Sequence, residues 1–289
     1  MHTPNVRGFF DPATATWTYV VWSTNNAVAQ CAVIDSVLDY DIYSCTTKTT
    51  SADAVIDFIQ EKRLSLQWIL ETHIHADHIT AAHYLQQKLG GTIAISKHIL
   101  AIVHTWEAYF QNSADTPQDG RQFDHLFEDD EEFTIADLPA KIMYTPGHTP
   151  ADTSYIIGNA VFVGDAMFLP DVGSGRCDFP GGSAEDAYDS SRKLLALPGD
   201  YRMYVGHDYP PEGMRGPRCM ATIDQQQQTN NRLSYSVDKH SFIARRNADD
   251  TGKPVPHLLL PSIQANLRAG QFGEAVNGVQ FVKLPVNML

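Results

Sequence analysis

Three histidines and an aspartate fall within six consecutive positions, His73-Ile74-His75-Ala76-Asp77-His78, directly after an apolar run at 66–70 and before a helix-like stretch. A turn at the end of a strand lets alternate side chains converge on one point. Neutral imidazole together with carboxylate is a donor set for zinc, iron or manganese. The alternative is a polar loop whose histidines cap the helix or bond to backbone. That is the weaker reading, because clustered histidines without a ligand repel one another once protonated.

Three later segments repeat the pattern of strand, tight turn and metal-capable side chain. His148 lies in Tyr144-Thr145-Pro146-Gly147-His148-Thr149, where proline and glycine restrict the backbone so that one side chain projects. A lone turn histidine is usually only solvated, so His148 gains its weight from the first cluster. Asp165 ends the apolar run Val161-Phe162-Val163-Gly164, and a carboxylate at the end of a buried strand is costly unless paired or bound to metal. A salt bridge to Arg176 is the structural alternative. His207, in Tyr204-Val205-Gly206-His207-Asp208-Tyr209, is a fourth metal-directed candidate.

Strand-like runs rich in β-branched and aromatic residues occur at 16–22, 32–34, 66–70 and 92–95. Between them, Ala54, Val55, Phe58 and Ile59 recur at helical spacing behind a Ser51 cap, and 79–89 ends at Gly90-Gly91 as a helix should. After a polar loop at 112–120, strands at 141–144, 153–157 and 161–163 precede a helix over 185–197 capped by Ser183. The alternation indicates an α/β chain. Periodicity alone permits an open doubly wound sheet as readily as a four-layered sandwich. Beyond Tyr209 the composition shifts to Pro210, Pro211, Gly213, Gly216 and Pro217. A glutamine-rich helix around 225–228, a short helix behind Ser236 running through Arg246, and a turn-rich loop at 249–256 follow. This tail is read as carrying nothing catalytic. The expected division is a catalytic domain at 1–212 and an extension at 213–289 packed on the same domain.

The 289 residues carry a formal net charge of -13, densest over 128–132, with no offsetting block of lysine or arginine. Nucleic acid and anionic membrane are therefore not expected partners. Cys31, Cys45, Cys177 and Cys219 stand far apart without a Cys-x-x-Cys pair, so neither a thiolate zinc site nor a disulfide framework is indicated. Cys177 and Cys219 are read as fillers rather than nucleophiles. Residues 1–11 lack the pattern of a secretory signal, and no stretch approaches the roughly 20 apolar residues of a membrane span. The expectation is a soluble, cytoplasmic protein.

The order His-x-His-x-Asp-His, Pro-Gly-His, Gly-Asp, Gly-His-Asp resembles the metallo-β-lactamase superfamily, which implies an αβ/βα four-layer sandwich, here with a C-terminal helical extension. Two glutathione-linked branches look similar, glyoxalase II and the persulfide (sulfur) dioxygenases. The wording His73-Ile74-His75-Ala76-Asp77-His78-Ile79-Thr80, with Gly164-Asp165-Ala166 and then Gly175-Arg176-Cys177-Asp178-Phe179, resembles the dioxygenase form more closely. The resemblance extends to residues 34–39 and 266–270, and so spans most of the chain. One departure is Ser174, where several members carry cysteine.

That resemblance implies one Fe(II) per chain, held by His73, His148 and Asp165. Two imidazoles and a carboxylate on one face of an octahedron leave positions open for O₂ and a substrate sulfur. The implied reaction is glutathione persulfide plus O₂ and water giving sulfite and glutathione. His75, Asp77, His78 and His207 are then expected to orient the ligands and tune the iron, or, on the glyoxalase II pattern, to hold a second metal. Asp77, Arg176 and Tyr209 are expected to assist catalysis, and Arg176, Arg215 and Arg218 to form a basic patch for an anionic thiol. Family members often form dimers, which implies a homodimer. The rival readings are a two-zinc thioester hydrolase of the glyoxalase II kind and a non-catalytic metal-binding module.

Overall fold

The β-branched and aromatic run Thr16–Trp22 is a strand with its centre fully buried, and around it the first half of the chain assembles. The computed structural model describes residues 3–23, 25, 29–111, 114–210, 213 and 215–288. In chain order the first half contains β1 (Asn5–Asp11), β2 (Thr16–Trp22), β3 (Gln30–Ile34), β4 (Val37–Asp41), β5 (Thr46–Lys48), α1 (Thr50–Glu61), β6 (Ser65–Leu70), β7 (Ile79–Thr80), α2 (Ala82–Leu89), β8 (Thr92–Ser96), α3 (Ile99–Phe110) and β9 (His125–Phe127). β1, β2, β3, β6, β8 and β9 form one sheet in that order. β1 to β3 pair antiparallel, and β3, β6, β8 and β9 pair parallel.

The second half contains β10 (Glu132–Ile135), β11 (Leu138–Tyr144), β12 (Thr153–Ile157), β13 (Ala160–Phe162), α4 (Ala184–Leu195), β14 (Arg202–Tyr204), β15 (Met220–Thr222), α5 (Ile223–Thr229), α6 (Lys239–Asp250) and α7 (Leu259–Asn266). Its strands form a second six-stranded sheet in chain order. Tyr19, Ile34, Leu70 and Phe127 of the first sheet meet Ile142, Tyr155, Phe162 and Tyr204 of the second in one buried cluster. On the outer face of the first sheet, Val55 and Ile59 of α1, Leu85 of α2, Val103 and Trp106 of α3 and Ile263 of α7 close another cluster. On the outer face of the second, Ala187 and Leu194 of α4, Ile223 of α5 and Phe242 of α6 close a third. Helices, sheet, sheet, helices is the four-layered sandwich, and the doubly wound alternative is excluded because two sheets face each other.

Burial of each large apolar side chain contributes about 1.5–3 kcal/mol, which sets the layers. Capping sets several ends. Ser183 accepts from the Asp186 N–H at the start of α4, as expected. Gly90, with φ 74°, ends α2. Ser51 is not a cap. It lies inside α1, and its hydroxyl donates to Asp39 over 2.7 Å. Nor does Ser236 start the later helix, because Asp238 caps α6 by accepting from the Ser241 N–H. Residues 79–80 are strand rather than helix, since they pair with β4. Of the expected loop at 112–120, residues 112 and 113 lie outside the described residues, as do 211, 212 and 214 around the expected domain boundary. No described helix is long and apolar enough to cross a membrane.

Candidate metal centre

All four metal-directed segments leave their strands at the same end of the facing sheets. The cluster from His73 to His78 follows β6, the His148 turn joins β11 to β12, Asp165 follows β13, and His207 follows β14. Backbone bonds tie these loops together. The Gly206 N–H donates to the Gly164 carbonyl over 2.9 Å, the Trp17 N–H donates to the Gly206 carbonyl over 2.8 Å, and the Thr153 N–H donates to the Thr72 carbonyl over 3.0 Å. Glycine is required where they crowd. A Cβ on Gly206 would stand 2.7 Å from Asp165 Oδ1, and one on Gly147, where φ is 151°, would stand 2.4 Å from the Ala187 backbone.

His73, His148 and Asp165, all buried, bring ligand-capable atoms within 4.8 Å of one another. His148 Nε2 lies 3.5 Å from Asp165 Oδ2, and the rings of His73 and His148 stand 5.0 Å apart, edge to face. Hydrogen bonds on the far side of each ring determine which nitrogen faces inward. His148 Nδ1 donates to the Arg176 carbonyl over 2.7 Å, which leaves Nε2 bare. The Thr72 hydroxyl donates to Asp35 Oδ2 over 2.9 Å and so receives the His73 Nδ1 proton over 3.0 Å, leaving His73 Nε2 bare as well.

His75, Asp77 and His78 form a second group within the same 4.8 Å limit. His207 Nε2 joins it from the other sheet, 3.2 Å from Asp77 Oδ2 and 3.4 Å from Asp165 Oδ1. His75 turns its Nε2 outward to Asp35, 3.1 Å away, and Glu71, 3.2 Å away, so its Nδ1 faces the group. The donors pass the test for a metal. His73 Nε2, His75 Nδ1, Asp77 Oδ2, His78 Nε2 and Asp165 Oδ1 are all buried without a hydrogen-bond partner. Each such atom costs about 1–3 kcal/mol if nothing meets it, and their convergence in one place is what a cation relieves.

Electrostatics agree with that reading. Burial, with His75 and His148 nearby, holds His73 well below its ordinary value, so it is a neutral donor. His78 is likewise lowered by burial and by His75. Burial opposes charge on His75, yet Asp35 and Glu71 lift it well above its ordinary value, so metal binding there releases a proton. Burial would raise Asp77, but His207 and His78 hold it well below the usual carboxylate range.

A cavity of about 590 Å³ opens over Asp77, His148 and Asp165 and is walled by Phe168, Phe179, Tyr209 and the basic residues Arg176, Arg232, Arg246 and Lys253. The Tyr209 ring stacks on His207 at 5.8 Å and meets the edge of Phe168. Two expectations about the basic patch are corrected. Arg215 and Arg218 do not line this cavity. Arg215 instead grips Asp208 and Asp171, and Arg218 also faces Asp171, because buried Asp208 needs a partner. Arg176 reaches the rim but does not pair with Asp165. Its guanidinium is engaged by Asp178 and by the Pro254 carbonyl.

The tail read as inert supplies Arg232, Arg246, Asp249, Lys253 and His257 to the cavity wall. Asn266 reaches the metal loop itself, its amide donating to the His75 and His78 carbonyls over 2.8 Å each. Asp35, Glu71 and Asn266 were not among the expected site residues. Asp35 carries the signal that picked out Asp165, a carboxylate ending an apolar strand, whereas Asn266 carries none that is local. Burial pushes the thiols of Cys31 and Cys177 up to about 12, so neither supplies a thiolate near neutrality.

Residues 12–207 match the family described as the Metallo-beta-lactamase superfamily. The chain belongs to that superfamily. Among relatives of this superfamily member, the "Beta-lactamase hydrolase-like protein" of Xylella fastidiosa is 42% identical over the whole chain, which spans 66% of that relative's length. "Glyoxylase B2" of Dictyostelium discoideum is 46% identical over 90% of both proteins. The mitochondrial "Persulfide dioxygenase ETHE1" of Homo sapiens is 28% identical over 92% of this chain and 88% of its own. Among solved structures, ETHE1 from Myxococcus xanthus superposes with a TM-score of 0.72 at 27% identity, covering 92% of this chain and all of that one.

Proposed function

We propose that this chain is a persulfide dioxygenase, holding one Fe(II) between His73, His148 and Asp165 and converting glutathione persulfide, O₂ and water to sulfite and glutathione. The observation that carries the reading is the buried group of two imidazoles and one carboxylate at the floor of a substrate-sized cavity with a basic wall. That donor set leaves coordination positions open, and iron bound there supplies the redox chemistry that brings O₂ and sulfur together. The likeness to the persulfide dioxygenases of the ETHE1 kind supports it.

The chain's own residues do the positioning. Thr72 and the Arg176 carbonyl hold His73 and His148 with their free nitrogens inward. Asp35 and Glu71 keep a proton on His75 Nε2, and His207 and Asp77 hold a second charged pair beside Asp165. Phe168, Phe179 and Tyr209 line the approach with ring surface, which excludes water from the sulfur's path.

Protein produced in iron-supplemented medium is expected to hold about one iron per chain and to consume oxygen with glutathione persulfide on an oxygen electrode. A zinc pair with no oxygen uptake overturns the reading. The second reading is a two-metal thioester hydrolase. Supporting it are the partnerless atoms of His75, Asp77 and His78 beside His207, and the relatives named as hydrolase-like and as glyoxylase. Hydrolysis of a glutathione thioester by the zinc-loaded protein would select it.

A further inference from the structure

Besides the basic cavity, a much smaller one touches the metal centre from the side of α3 and α7. Its wall is formed by Ile74 and Ala76 of the metal loop, Ile102 and Trp106 of α3, Ile263 of α7 and the Phe179 ring. Apart from half-buried Phe179, these side chains are all buried. The crevice accommodates the centre of a water-sized sphere over about 10 Å³, room for roughly one small molecule. None of the four cations of the larger cavity lines it, whereas Ala76, His148 and Phe179 belong to both walls.

Water is a poor occupant for such a space. The Thr149 hydroxyl at its edge already donates to Asp152 and accepts from the Ala151 N–H over 3.3 Å. The His148 nitrogens are also spent, Nδ1 on the Arg176 carbonyl and Nε2 facing Asp165. A buried water needs about three hydrogen-bond partners, and apolar voids without them stay dry yet take up xenon. O₂ suits the same wall, because a neutral diatomic gains from leaving water for apolar surface. The partition between the two cavities is braced as well. The Phe179 ring stands edge to face with His148 at 5.1 Å, and the Arg176 guanidinium lies 5.1 Å over the same ring. An anion seated in the basic cavity covers the centre from that side, and the crevice leaves a second approach beside His148.

We propose that this crevice is an oxygen site: O₂ is taken up between Ile102, Trp106 and Ile263 and reaches the centre past Ala76 and Phe179, while the anionic persulfide comes by the basic cavity. The choice of O₂ as the ligand rests on the dioxygenase reading, but occupancy by an apolar gas can be measured without turnover.

The test has two arms. Crystals of the wild-type protein pressurised with xenon are expected to show a xenon atom in the crevice, retained in Ile102→Val and lost in Ile102→Phe, whose ring fills the space. In oxygen-uptake assays at varied O₂, Ile102→Phe is expected to raise KM for O₂ about tenfold, with KM for glutathione persulfide unchanged and kcat regained at high O₂. Ile263→Phe, from α7, is expected to do the same, so the outcome does not hang on the folding of one variant. No xenon in the wild-type crevice overturns the proposal. So does an unchanged KM for O₂ in a folded, xenon-free phenylalanine variant, or an equal rise in both KM values. Absence of oxygen uptake in wild type with xenon bound in the crevice sinks only the dioxygenase reading.

Discussion

The backbone carbonyl of Arg176 accepts the Nδ1 proton of His148 over 2.7 Å, while the side chain of Arg176 holds the tail segment at Pro254. The His148 imidazole at the metal-capable group and the tail segment on the cavity wall are therefore braced by opposite ends of one residue.

That division of labour separates two variants. Arg176→Ala keeps the carbonyl and is expected to retain wild-type metal content while KM rises about tenfold through loss of the side chain's hold on residues 253–254. His148→Ala removes a metal donor, and both metal content and oxygen uptake are expected to collapse. Elemental analysis beside steady-state kinetics checks the pair.

Asp77 distinguishes the metal counts. Its carboxylate lies 3.2 Å from His207 Nε2 and belongs to the second donor group. In a one-iron enzyme Asp77→Asn is expected to leave iron at about one per chain and to lower kcat about 10- to 100-fold, as loss of the charge facing His207 beside the metal ligands does. A fall from two bound metals to one, measured by the same elemental analysis, would instead favour the hydrolase.

Arg215 is a stability residue. Asp208 is fully buried, and both its oxygens are met by the Arg215 guanidinium, which also binds Asp171. Removing the cation leaves an uncompensated buried carboxylate next to His207. Arg215→Ala is expected to lower unfolding free energy by about 3–5 kcal/mol in urea titration.

Asp152 gives the metal-free fold a pH signature. Burial is the main cause that pushes its carboxyl from 3.8 to about 6, although Thr149 hydrogen-bonds it through both its backbone N–H and its hydroxyl. Between those two values the folded chain keeps a proton that the unfolded chain has released. The contribution of Asp152 to stability is therefore full below the lower value, falls as pH rises through the interval, and stays lost above it. Asparagine has no such proton. Relative to wild type, Asp152→Asn is expected to gain roughly 2 kcal/mol on passing from pH 4 to pH 7, read from urea midpoints at each pH. A constant difference across that range contradicts the assignment.

Much of the centre was legible in the chain because its donors sit where strands end. β6 ends before His73, β11 before His148, β13 before Asp165 and β14 before His207. Alternating apolar residues mark such strands locally, and tight Pro-Gly or Gly-Asp turns mark the projecting donors. Asp35 was equally readable by that rule. Ser51 and Ser236 were misread as caps because a serine near a helix start looks the same whether its hydroxyl meets the backbone or, as with Ser51, a carboxylate elsewhere.

The sequence by itself determined the donor types, their order and the strand ends that present them, since those depend on neighbours a few residues away. Only the tertiary structure decided that two sheets face each other, that Asn266 reaches back to the His75 and His78 carbonyls, and that Arg215 and Arg218 turn to Asp208 and Asp171 rather than to the cavity. Those outcomes rest on long-range packing and on which charges find partners. Neither is encoded in local spacing, because burial and pairing energies depend on what the rest of the chain brings into contact.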